Sequence, residues 1–342
     1  MATMPNAATM GSINFDEANF RLQLFDSNIM DFDQMALTLF RYQYQNNNVY
    51  RQYCNYLQVT DSLVSRVQDI PFLPIHFFKT HQVQTGKFTP EAVFLSSSTG
   101  NQGQSKHAVK NLALYEQSFI KAFTQAYGSP SNYVFLCLLP AYLERQGSSL
   151  VYMAQHLIAQ SHNPASGFYL HNLAELHHTL QQLEQQNQQV MLLGVTFALL
   201  DFAEQFPMPL KHTLVMETGG MKGVRKEMIR EEVHATLIQQ LGVPAVHSEY
   251  GMTELLSQAY AKKDGLYQAP RWMHVYITDA HDLGTQLPVG KTGVVNIIDL
   301  ANIHSCAFIQ TQDIGKKHPD GSFEILGRLD QSDLRGCSLL YL

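Results

Sequence analysis

The residues best suited to chemistry begin at Leu95–His107, LSSSTGNQGQSKH. Three consecutive serines and a threonine offer hydroxyl donors, Gly100 and Gly103 let the backbone approach an anion, and Lys106 adds a mobile positive charge. Together these can cradle a polyphosphate, although a serine- and glycine-rich turn can also be only a turn. The spacing is not that of a P-loop, because Gln104 and Ser105 separate Gly103 from Lys106. Three further stretches carry comparable chemistry. In Glu217–Gly223, ETGGMKG, the pair Gly219–Gly220 can lie bare against a planar ring or simply turn the chain. In Glu249–Glu254, EYGMTE, Tyr250 can stack on a base, and Glu254 can hold a hard cation such as Mg²⁺; a polar strand end reads the same way. In TQDIG (Thr311–Gly315) an aspartate follows a strand, where Asp313 is placed to take a ribose hydroxyl. In GRLDQSDLRG (Gly327–Gly336) Arg328 can reach ribose or phosphate. Two ordinary turns are the competing account of that pair.

The elements that must position these stretches follow from periodicity. Phe15–Phe25 and Asp33–Tyr56 repeat apolar residues at helical spacing, so the first 90 residues or so read as helical. Ile70–Lys79, IPFLPIHFFK, holds two prolines in an apolar run and reads as an extended connector rather than a helix. HAVKN after Lys106 looks extended, Asn111 is placed to cap a helix, and Leu112, Tyr115, Phe119 and Phe123 share one face of it. Continuous apolar runs at Tyr133–Leu139, from Val190 onward and at His212–Met216 have the length of strands covered on both faces. Helices are expected at Ser149–Ile158, Leu173–Gln188 and Val224–Leu241, with a short strand at PAVHSEYG. After that the texture changes to short strands, Val275–Thr278, Gly293–Asp299, Ala307–Gln310 and Ser322–Gly327, joined by turn residues. Strands alternating with helices, then a β-rich end, indicate an α/β fold with mixed sheets.

Composition narrows the function classes. A net charge of −6 leaves no basic footprint for nucleic acid or anionic membrane. The apolar run Val190–Leu200 is about half the ~20 residues a membrane span needs. Cys54, Cys137, Cys306 and Cys337 are scattered, with no CxxC pairing, which fits a reducing compartment. The first residues lack the basic and apolar regions of a signal peptide, and the expectation is a cytoplasmic protein.

Taken in order, SSSTGNQGQSK, TGG, YGMTE and the TQDIG…GRLD pair resemble the signature motifs of the adenylate-forming (acyl-activating) superfamily. Within it, IPFLPIHFFK, ETGGMKG and the terminal DLRGCSLL are similar to the LuxE-type acyl-protein synthetases. The resemblance implies the large N-terminal-type domain of such enzymes, mixed sheets flanked by helices, without their usual small C-terminal domain. Residues 1–342 would form one adenylation domain, with a helical part at 1–90 and a nucleotide-binding core at 91–342. It also implies ATP- and Mg²⁺-dependent activation of a fatty or other carboxylic acid to acyl-AMP, then transfer to a cysteine thiol. An acyl reductase, acyltransferase or carrier-protein partner would use the product. Carried over by position, Ser97, Ser98, Thr99, Gly100, Gly103 and Lys106 would wrap the triphosphate, and Gly219, Gly220 and Tyr250 would frame adenine. Thr253 and Glu254 would sit at the α-phosphate and Mg²⁺, Asp313 at ribose, Arg328 at the hinge-like domain end, and Cys337 would accept the acyl group. Two alternatives stand beside this one: transfer to coenzyme A or a carrier protein, and a non-catalytic nucleotide-binding scaffold.

Overall fold

The structure is a computed structural model that describes residues 15–26, 31–97, 103–139, 147–219, 228–280, 282 and 284–329. The chain begins with three helices, α1 (Glu17–Leu24), α2 (Phe32–Asn46) and α3 (Asn48–Tyr56). Asp33–Tyr56 is helical as the spacing predicts, and Asn47 interrupts it with an extended backbone. Its side-chain oxygen accepts from Tyr50 N to cap α3, while its amide donates to the Ser305 carbonyl at 3.0 Å. A tertiary contact from the far end of the chain therefore sets that boundary. Ile70–Lys79 starts as expected, with β1 (Leu73–Pro74) pairing alongside Ile309 and Gln310, and then coils into the single turn α4 (Phe77–Thr80).

The hairpin β2 (Ala92–Leu95) and β3 (Lys106–Val109) follows, then α5 (Leu112–Tyr127), whose first turn Asn111 caps through Leu114 N. The α/β layer comprises β4 (Val134–Leu138), α6 (Ser149–Ser161), β5 (Gly167–Phe168), α7 (Leu173–Gln185), β6 (Val190–Val195), α8 (Thr196–Gln205), β7 (Thr213–Thr218), α9 (Arg230–Leu241) and β8 (Val246–Tyr250). The β-rich end adds β9 (Ala259–Ala261), β10 (Tyr267–Gln268), β11 (Met273–Thr278), β12 (Thr292–Asp299), β13 (Phe308–Lys317) and β14 (Phe323–Arg328).

All strands but the hairpin join one mixed sheet, ordered β11-β12-β13-β14-β10-β9-β8-β7-β6-β4-β5, with β1 beside the first half of β13. The segment β5-β4-β6-β7-β8 is parallel, and the pairs from β8 to β11 are antiparallel. Burial on both faces explains the unbroken apolar runs of β4, β6 and β7. Val134, Leu136 and Leu138 point into the core under α7–α9, whereas Phe135, Cys137 and Leu139 point into the core shared with α1–α6. Each such Leu or Phe contributes roughly 1.5–3 kcal/mol by leaving water. Gly194 lets α8 close on this layer, since a Cβ there would lie 2.8 Å from Leu138 and 2.9 Å from Leu199. The carboxyl ends of the parallel strands, where open α/β sheets bind ligands, point toward the ETGG and EYGMTE stretches.

Candidate active site

The phosphate-loop candidate is held at its base by its own hairpin. Leu95 pairs with Lys106, Ser96 N donates to the Ser105 carbonyl at 3.1 Å, and Ser105 N donates back to Ser96 Oγ at 2.9 Å. Gln104 closes the same turn by donating to the Ser96 carbonyl. Gly103 has φ +76°, a left-handed backbone that suits glycine, and the Lys106 side chain is exposed. Ser97 belongs to the described hairpin end, whereas Ser98, Thr99 and Gly100 lie outside the described residues.

The EYGMTE stretch meets this hairpin through a residue the sequence reading passed over. His107 is buried on β3, packs edge-on against Phe78 of α4, and reaches the Thr253 carbonyl with Nδ1 at 2.8 Å. A carbonyl only accepts, so Nδ1 carries the proton. Burial pushes the His107 pKa down to about 4, which keeps the ring neutral. From the other side Asn302 donates to the Glu254 carbonyl at 2.7 Å. The Thr253–Glu254 backbone is thus clamped between β3 and the β12–β13 connection. Burial raises the pKa of the Glu254 carboxyl, while a hydrogen bond from the Ser105 side chain and the positive charges of Arg328 and Lys79 pull it back. One carboxylate that meets the phosphate hairpin and two cations fits a divalent ion held mainly by phosphate oxygens. No set of three or more His, Cys, Asp or Glu side chains among the described residues forms a metal cage by itself.

Asp313 differs from expectation in one respect: it does not follow a strand but sits inside β13. The strand changes neighbours there, pairing with β1 at Ile309 and Gln310 and with β14 from Asp313 onward. The register sets Asp313 opposite Arg328, whose Nε donates to Oδ1 at 2.9 Å, while the Tyr250 hydroxyl donates to Oδ2 at 2.8 Å. Tyr250 is itself buried, with its ring 5.7 Å from both Tyr267 and Phe323. The motif pairs of the sequence therefore meet as one hydrogen-bonded triad. Gly219 has φ +71° with open space at its missing Cβ, and its carbonyl accepts from Thr196 Oγ1 at 2.6 Å. Gly220 and Cys337 lie outside the described residues.

Comparison with known proteins bears on this constellation. Residues 10–133 match the family of the acyl-protein synthetase LuxE. The matched stretch includes α1–α5, IPFLPIHFFK and the phosphate hairpin; the other motifs lie beyond it. No curated protein matches the chain. Among solved structures, ATP-bound MatB from Rhodopseudomonas palustris is similar with 17% identity and a TM-score of 0.52, covering 71% of this chain and 49% of MatB. The chain thus spans about half the length of that relative. A 2-hydroxyisobutyryl-CoA ligase in complex with 2-HIB-AMP and CoA, in its thioesterification state, is similar with 12% identity and a TM-score of 0.62, covering 92% of this chain and 69% of the ligase. At such identities the likeness is one of fold: the large mixed α/β domain of adenylate-forming enzymes. No helix among the described residues is long and apolar enough to cross a membrane.

Sequence reasoning gave no role to Ser105 and His107, although both lie in the Leu95–His107 stretch, nor to Asn302, which belongs to no motif. Only the alternation around Lys106 hints that His107 faces inward. Lys79 lies in a segment that reads as a connector, and nothing local shows that its charge reaches Glu254.

Proposed function

We propose that the chain activates a fatty or other carboxylic acid with ATP and Mg²⁺, forming acyl-AMP and pyrophosphate, and passes the acyl group to the thiol of Cys337. The observation that carries the reading is the convergence of three motif groups: the Ser105–Lys106 hairpin end, Glu254, and the Tyr250–Asp313–Arg328 triad. The reading treats residues 1–342 as one cytoplasmic adenylation unit whose nucleotide site lies in 91–342. An acyl reductase, acyltransferase or carrier protein receives the product.

A carboxylate resists thiol attack because its leaving group would be oxide; exchanging that group for AMP removes the obstacle. The reaction brings two anions together, the acid's carboxylate and the α-phosphate, so the site must present positive charge. Lys106 and the backbone N–H groups around Gly103 grip the β- and γ-phosphates. Ser97, Ser98, Thr99 and Gly100 continue that grip, Thr253 meets the α-phosphate, and Gly219, Gly220 and Tyr250 border adenine. Glu254 would hold Mg²⁺, which when bound would supply Lewis-acid neutralisation of phosphate charge. Asp313 accepts from ribose hydroxyls while keeping its bond from Arg328. In the second half, the Cys337 thiolate attacks the acyl carbonyl, the C–S bond forms, the C–O bond to phosphate breaks, and AMP leaves with its electron pair.

Acid-dependent ATP–pyrophosphate exchange tests the first half-reaction, and Glu254→Gln should abolish it without unfolding the protein. Absence of exchange with every acid tried refutes the reading. Acyl label released by hydroxylamine from the wild type but absent from Cys337→Ser supports the thiol step. Label that persists in the variant refutes Cys337 as the acceptor, and activation that leaves no label on the wild type directs transfer to coenzyme A or a carrier protein instead.

A further inference from the structure

Two buried glutamates stand at the carboxyl ends of β7 and β8, on opposite faces of the sheet, and they are treated differently. Glu217 is compensated: Arg230 Nε and His234 Nε2 lie 3.9 and 3.8 Å from Oε1, and Thr196 donates to Oε2. Among the described residues Glu249, one residue before Tyr250, receives the Thr218 hydroxyl and meets no cation. Its side chain is 7% exposed. Burial raises its pKa to about 7, against the Thr218 hydrogen bond and with the Glu217 charge adding to the rise.

Near that carboxyl stand further buried polar atoms without partners. Gln258 and Tyr260 are each 4% exposed, and Gln258 Oε1 and the Tyr260 hydroxyl have no hydrogen-bond partner. Tyr260 lies opposite Glu249 in the β8–β9 register. A Cβ on Gly251 would fall 2.5 Å from Glu249 Oε1 and 3.3 Å from Gln258 Cγ, so both side chains flank one point that only glycine leaves free. Buried polar atoms without partners each cost about 1–3 kcal/mol, and in native proteins such atoms point to a function or a missing ligand. Here two acceptors, Glu249 and Gln258 Oε1, and one rotatable hydroxyl belong to neighbouring side chains. An alkyl group leaves Gln258 Oε1 and the Tyr260 hydroxyl unpaired and Glu249 with the Thr218 hydroxyl alone, and an anion meets acceptors head-on. A ligand carrying N–H or O–H donors satisfies them.

We propose that Glu249, Gln258 and Tyr260 form a specificity subsite for a hydrogen-bond-donating group, hydroxyl or ammonium, carried by the acid substrate in addition to its carboxyl. The location favours substrate, since Glu249 is tied to Thr218, next to Gly219, and directly precedes Tyr250. The inference rests on the adenylation reading and names its substrate class: an acid with a polar substituent, not a plain alkyl chain.

The test is ATP–pyrophosphate exchange with acids of matched length in three series: unsubstituted, hydroxylated and aminated. The wild type should favour a substituted series by roughly tenfold or more in kcat/KM, as expected when a buried polar site loses its partner. Preference for the aminated series that Glu249→Gln converts to the hydroxylated one identifies an ammonium; preference unchanged in ranking identifies a hydroxyl. Glu249→Leu should shift preference toward unsubstituted acids, with Glu249→Gln and a thermal melt guarding against simple misfolding. Exchange with unsubstituted acids that neither substitution nor Glu249→Leu alters overturns the subsite and leaves adenylation standing. Exchange with no series overturns both.

Discussion

His107→Asn separates a buried titration from everything else in the chain. The imidazole is 1% exposed and its pKa is pushed down to about 4 by burial, whereas in the unfolded chain it returns to about 6.5. The unfolded state therefore binds the extra proton first as pH falls. The contribution of His107 is fully present above about pH 6.5 and is lost progressively down to about pH 4. Between pH 6.5 and 5 the loss is about 2 kcal/mol, from 1.36 kcal/mol per pH unit. Asparagine does not titrate but can still donate to the Thr253 carbonyl. At pH 8 the variant should be less stable by about 1–3 kcal/mol, for ring packing lost against Phe78 and an imperfect hydrogen bond. At pH 5 the wild type has given up about 2 kcal/mol that the variant keeps, and the gap should nearly close. His247 and His274, also pushed down to about 4 by burial, titrate alike in both proteins and cancel. So do Glu249 and Asp299. Urea denaturation at steps from pH 8 to 5 measures the gap, and a gap that stays constant refutes the argument.

Three more expectations follow from the same geometry. Gly293→Ala puts a Cβ 2.2 Å from the Thr278 carbonyl oxygen, which the β11–β12 pairing holds in place, so the melting temperature should fall by several degrees, equivalent to ~2 kcal/mol or more. Burial raises Asp299 to about 6 although it accepts from Leu256 N and Ser257 Oγ, so its stabilising protonated form is lost as pH rises through about 6; Asp299→Asn should flatten that part of the stability–pH curve. Cys54, Cys137 and Cys306 are buried with thiols pushed up by burial, Cys54 to about 12, so iodoacetamide at pH 8 should leave all three unmodified until denaturant is added, as peptide mapping will show.

Much of the architecture was legible because its cause is local. β4 and β6 announce themselves as apolar runs, Asn111 as a cap, and Val190–Leu200 as a strand passing directly into a helix. Where reading failed, a distant partner decided. Asn47 ends α2 because Ser305 takes its amide, and β13 runs through Asp313 because β14 is there to pair with it. No window of residues around either position holds that information.

The candidate site divides in the same way. Residue types alone determine the available chemistry: hydroxyls and a lysine for phosphate in Ser96–Lys106, an aromatic and a carboxylate in EYGMTE, and an aspartate and an arginine near the end of the chain. Tertiary structure decides which of them act together and in what state. It joins Tyr250 to Asp313 to Arg328, ties His107 to Thr253, and brings the charge of Lys79 to bear on Glu254. Among the described residues it also sets the Arg230 guanidinium beside Glu217 and no cation beside Glu249. The reason is physical: hydrogen bonding, burial and Coulomb interaction act through space over a few ångströms, whereas these partners lie tens to hundreds of residues apart along the chain.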